Sequence, residues 1–140
     1  MPDGRLLVIE DERDIGLLVE GVAQSMGFET RLIRALVDVW DAIDTFRPTA
    51  ILADLSIVGG TDSDVIHRLA ESSTGALIAI MSGSGNRRTA ELAAEQLGLK
   101  IAGILDKPFR IVQLRSLLHS LRFASAAGRE DGRNSSAVGR

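Results

Sequence analysis

Residues 6–14 read LLVIEDERD: an apolar run suited to a buried strand passes without a break into Glu10, Asp11, Glu12 and Asp14. Carboxylates crowded at the end of a strand repel one another, so a cation is expected among them. Similar apolar runs recur at 50–53 (AILA), 76–81 (ALIAIM) and 101–105 (IAGIL), with a weaker one at 30–33 (TRLI). Together they imply five strands.

Between the strands lie segments with helical spacing: Ile15, Leu18, Val19, Val22 and Met26; Leu36, Trp40 and Ile43; Val65, Ile66 and Leu69; Ala90, Ala93, Ala94 and Leu97; and Leu114, Leu117, Leu118 and Leu121. These stripes are read as core packing. Strands alternating with helices of this length give βαβ units, and unbroken apolar runs give a parallel sheet covered on both faces. The fold class is therefore α/β, a doubly wound (βα)5 sheet of the flavodoxin-like kind, whose strand order 2-1-3-4-5 is taken from the class. In such sheets ligands bind beyond the carboxyl ends of the strands.

The residues at those ends carry chemistry. Glu10 and Asp11 follow the first strand, Asp54 the third, Ser82 the fourth, and Asp106, Lys107 and Pro108 the fifth. With strands one and three adjacent, about 4.8 Å apart, Glu10, Asp11 and Asp54 share one pocket. An all-oxygen set of this kind suits Mg²⁺. Asp54 is then placed to attack phosphorus and form an acyl phosphate, with Lys107 supplying fixed positive charge and Ser82 a hydroxyl donor. Each part also has a plainer reading: the first acids as a solvated loop with Asp14 capping helix one, Lys-Pro as a helix start, Asp54 as surface decoration. Coincidence at four strand ends favours one shared site.

The chain resembles the response-regulator receiver domains of bacterial two-component signalling over about residues 5–123. The likeness rests on VIEDE, ILADLSIVGGTDSDVI, IAIMSG and ILDKPF. It implies that Asp54 accepts a phosphoryl group from a histidine kinase or phosphotransfer protein. It further implies that Asp11, Asp54 and the backbone carbonyl of Ser56 hold Mg²⁺, that Glu10 assists through water, and that Lys107-Pro108 is a cis peptide. The sequence departs from the family pattern at Val58, where proline is usual, at Asp62, where glycine is usual, and at Gly83, commonly alanine. At Ile104 the family often has an aromatic that swings inward on phosphorylation. The stretch MSGSGNRRTAELAAEQLGLKIAGILDKPF is also similar to receivers fused to EAL-type cyclic-di-GMP phosphodiesterase domains. The receiver is expected to span 1–123, with 124–140, rich in Gly, Ser, Ala and charge, as a flexible tail or linker to an effector.

Bulk properties set limits. A net charge of −3 argues against direct binding of nucleic acid or an anionic membrane. The apolar run at 76–81 is far shorter than the roughly 18 residues of a membrane span, and no secretory signal opens the chain. There is no cysteine, which fits a cytoplasmic location. His67 and His119 are too distant in sequence to suggest a metal pair and are expected on helix surfaces. Three rivals have specific signatures. A haloacid-dehalogenase-like phosphatase, a turnover enzyme that the receiver reading does not expect, needs a second acid where Ser56 stands. A nucleotide or flavin module would rest on GSG at 83–85 alone. A pseudo-receiver, folded alike but never phosphorylated, would act as a protein-interaction module, although Glu10, Asp11, Asp54, Ser82 and Lys107 are all present. The mixed charges Arg87, Arg88, Glu91, Glu95, Asp106, Arg110 and Arg115 suggest a phosphorylation-favoured homodimer.

Overall fold

A computed structural model describes residues 4–55, 62–72, 75–83 and 87–122, the side chains of 62–64 excepted. Five parallel strands, β1 (Gly4–Ile9), β2 (Phe28–Ile33), β3 (Ala50–Asp54), β4 (Leu77–Ser82) and β5 (Ile101–Asp106), form one sheet in the order β2-β1-β3-β4-β5. They alternate with α1 (Arg13–Ser25), α2 (Val39–Phe46, entered through a 3-10 turn at Leu36–Asp38), α3 (Asp62–Ser72), α4 (Arg87–Gln96) and α5 over 111–122.

The three central strands are buried on both faces, so their alternate residues feed two separate cores. Leu6, Val8, Leu52, Ala79 and Met81 pack with Val19 and Ala23 of α1 and Leu114, Leu118 and Leu121 of α5. Leu7, Ile9, Ile51, Ala53 and Ile80 pack with Ile43 and Phe46 of α2, Val65, Ile66 and Leu69 of α3, and Ala90 and Ala94 of α4. Two helices thus cover one face and three the other. Close approach sets one position: a Cβ on Gly16 would lie 2.7 Å from the Leu32 side chain, so glycine lets α1 sit tightly on β2. Gly27, at φ 97°, takes the left-handed turn by which the chain leaves α1 for β2.

The helical stripes are corrected in part. Leu18 (42% exposed), Trp40 (36%) and Leu97 (40%) face solvent, while Gly16, Ala23, Val39, Ala42 and Phe46 take buried places. In α1 glycine at 16 lets the helix approach β2 and takes a buried place, while in α2 the buried face runs through Val39, Ala42, Ile43 and Phe46 and leaves Trp40 outside. The stripes of α3 and α5 match the sequence reading. Asp14 is not a cap: Glu12 occupies that position without a side-chain cap bond, and Asp14 lies inside the first turn. His67 and His119 are exposed on α3 and α5. No described helix is long and apolar enough to cross a membrane.

The two cores and the exposed stripe make a direct comparison possible. Leu52→Ala should cost about 2–5 kcal/mol and Leu18→Ala less than about 1 kcal/mol, measured by urea denaturation. Equal losses would place Leu18 in the core after all.

Candidate functional site

The parallel order puts the carboxyl ends of β1, β3, β4 and β5 side by side; β3, β4 and β5 end in Asp54, Ser82 and Asp106, and Glu10 directly follows β1. Glu10, Asp54 and Ser82 are the buried polar residues, each 0% exposed, among the described residues. Asp54 lies opposite Met81, and Ser82 opposite Asp106, in the sheet register. Lys107 follows directly, its main-chain N–H bonded to the Ser82 carbonyl at 2.8 Å. Its ammonium reaches back across the strand ends, donating to Glu10 Oε1 at 2.8 Å and Asp54 Oδ2 at 3.0 Å. The Lys107-Pro108 peptide is cis, as expected.

Two acids bind the lysine and a third, Asp11, lies beside them. One carboxylate oxygen from each of Glu10, Asp11 and Asp54 lies within 4.8 Å of the others. Burial, with the hydrogen-bonded Asp54 carboxyl beside it, pushes Glu10 up from 4.5 to about 7, against the lowering effect of Lys107 and of the Glu12 N–H. Burial opposes charge on Lys107 too, but its bonds to Glu10 and Asp54 prevail and raise it above the ordinary lysine value. The ammonium therefore stays charged, and the pocket keeps an excess of negative groups.

That donor set fits Mg²⁺. The ion takes hard oxygen ligands at about 2.0–2.1 Å, so two oxygens on one ion stand about 4 Å apart at most, a little less than the spread found here. Small side-chain adjustments or an intervening water close the difference. Ser82 Oγ donates to the Gly83 carbonyl at 3.2 Å, a long bond that is easily exchanged.

Glu10, Asp11, Asp54, Ser82 and Lys107 all stand at the carboxyl edge of the sheet, and the solvated-loop reading fails for Glu10, which is fully buried. The Ser56 carbonyl, Val58, the Asp62 side chain, Ser84 and Gly85 of the GSG motif, and 124–140 lie outside the described residues. Gly83 is half-buried after β4, and Ile104 is half-buried on β5 against the helix-rich core. Two of the charges assigned to an intermolecular face are engaged within the chain, Arg87 with Asp106 at 3.0 Å. One residue escaped the sequence reading: Arg34, whose Nε and Nη2 donate to the Asp11 carbonyl at 3.3 and 3.1 Å. The available signal was an arginine directly after a strand at the carboxyl edge.

Comparison with known proteins agrees with this arrangement. Residues 6–119 match the family described as response regulator receiver domain. No curated protein sequence matches. Among solved structures, NtrX from Brucella abortus superposes with a TM-score of 0.80 at 25% identity, covering 95% of this chain but 29% of its own. The receiver domain of the Francisella response regulator 1452 gives 0.73 at 17% identity, covering 87% and 98%. A CheY-like response regulator receiver domain protein from Methanospirillum hungatei JF-1 gives 0.75 at 13%, covering 91% and 97%. The last two likenesses concern the fold, and the chain spans under a third of NtrX.

Two outcomes follow from the charge balance. Lys107→Met leaves buried carboxylates without their cation and should cost about 3–5 kcal/mol at pH 8 without divalent metal, with added Mg²⁺ restoring more stability than it adds to wild type; an unchanged melting temperature would refute the neutralising role. Glu10 makes metal-free stability depend on pH. Its contribution is fully present below 4.5 and is lost as pH rises through about 7, because the unfolded chain ionises more readily than the pocket allows. Glu10→Gln should melt near wild type at pH 5 and above it at pH 8 in thermal scans.

Proposed function

The chain belongs to the response regulator receiver domain family, and from that membership we propose that it is a phosphoacceptor whose Asp54 takes a phosphoryl group from a phosphohistidine of a histidine kinase or phosphotransfer protein. The observation that carries this reading is the buried Asp54 carboxylate bonded to Lys107 at 3.0 Å beside Glu10 and Asp11. Such a residue is a poor surface ornament and a good nucleophile.

An Asp54 oxygen forms a bond to phosphorus while the bond from phosphorus to the donor's imidazole nitrogen breaks, its electron pair staying on that nitrogen. The product is an acyl phosphate. Lys107 shifts its pairing toward the incoming phosphoryl oxygens, and Ser82 exchanges its Gly83 carbonyl for one of them, a charged and stronger acceptor. Asp11 and Asp54, with the Ser56 carbonyl that the family resemblance supplies and Glu10 through a water, would hold Mg²⁺. When bound, the ion supplies neutralisation and orientation of phosphoryl oxygens.

The family favours a phosphoacceptor over a turnover phosphatase, and Ser56 stands where a haloacid-dehalogenase-like enzyme needs an acid. Presence of all five charged or hydroxyl groups weighs against a pseudo-receiver. Because Ile104 has no aromatic ring to move, output is read as passing through the β4–α4 connection and α4. A cytoplasmic location, a receiver over 1–123 with a linker over 124–140, an EAL-type effector beyond it and a phosphorylation-favoured homodimer belong to the same proposal. The reading frame after Arg140 tests the effector, and sedimentation with beryllofluoride tests the dimer.

Intact-mass spectrometry with acetyl phosphate and MgCl2 should show one phosphoryl adduct, none in EDTA and none in Asp54→Asn. An adduct persisting in Asp54→Asn, or steady turnover of a phosphate ester, would overturn the reading.

A further inference from the structure

We propose that Arg34 is a positioning residue for the cation site: by gripping the main-chain carbonyl of Asp11 it fixes where that carboxylate points, and Mg²⁺ affinity depends on it. This rests on the reading of the acid pocket as a Mg²⁺ site.

The three acids are not held alike. Glu10 is fixed at both oxygens, Oε1 by Lys107 at 2.8 Å and Oε2 by the Glu12 N–H at 3.1 Å. Asp54 is buried and bonded to Lys107. The Asp11 carboxylate is half-buried and has no hydrogen bond or ion pair with a described residue. Its direction is therefore set by its own main chain. That main chain lies at a bend between β1 and α1, held on one side by the Glu10 N–H donating to the Ile33 carbonyl at 3.0 Å. On the other side Arg34, the first residue past β2, puts two guanidinium donors on the Asp11 carbonyl. A planar fork restrains that peptide's rotation more than one donor would.

The opposing effect has the opposite sign. Arg34 carries a full positive charge close to a site for a divalent cation, so by charge alone its removal would tighten binding. Positioning predicts loosening. The residue is exposed, so its two bonds should matter little to global stability.

Calorimetric titration of the full chain with MgCl2 separates these. Arg34→Ala should bind Mg²⁺ about three- to tenfold more weakly, at or below the low end of losses seen when groups that orient metal ligands are removed, with a metal-free melting temperature close to wild type. Arg34→Gln, which keeps a donor without charge, and Arg34→Lys should each recover part of the loss. Equal or tighter binding by Arg34→Ala would overturn the positioning role, as would a fall in metal-free melting temperature large enough to account for weaker binding. A wild-type chain that binds no Mg²⁺ would instead overturn the reading of the pocket itself.

Discussion

The Lys107 ammonium between Glu10 and Asp54 is the contact on which the site depends. Two carboxylates with no exposed surface are tolerated in a folded domain only when a partner compensates for lost hydration. The partner here comes from the far side of the sheet order, past β4, and its main chain is pinned to the end of β4 through the Ser82 carbonyl. Position and charge are thus set by the same element. The neutralisation is incomplete, since one ammonium serves a cluster of three acids, and the remaining negative potential suits the pocket to a cation.

The strand ends that meet at the site differ in how firmly they hold their side chains. Asp54 ends a strand buried along its whole length, so its carboxylate has little freedom. Ser82 ends the adjacent strand with a weak bond to Gly83. The next described element, α4, is joined to β5 at its first residue by the exposed Arg87–Asp106 pair, a contact of small energetic weight. The firmer hold on α4 is Ala90 and Ala94, which are buried in the core.

Much of this was legible in the amino-acid order. Five apolar runs and their polar ends located every strand, because a two-sided sheet leaves a continuous signal. The helices were harder. Leu18 and Trp40 fit a helical period yet face solvent, since Gly16, Ala23 and Ala42 take the buried places, and size is invisible to a periodicity argument; Leu97 is exposed just past the end of α4. Arg34 was missed for another reason: its donors serve a main-chain carbonyl 23 residues away, and no pattern of side-chain types encodes that. Lys107 was legible as a residue at the end of the fifth strand, whereas its pairing with Glu10 and Asp54 followed only from the geometry.

The Lys107–Glu10 bond spans 97 residues of sequence, which has a consequence for how the protein is made. Synthesis proceeds from the N-terminus and domains fold as units, so β1 and β3 leave the ribosome with their carboxylates well before the cation that lets both be buried. Until β5 emerges, closing that edge of the sheet would strand two acids in an apolar setting. The compensating ammonium of this edge is therefore supplied only with the last strand.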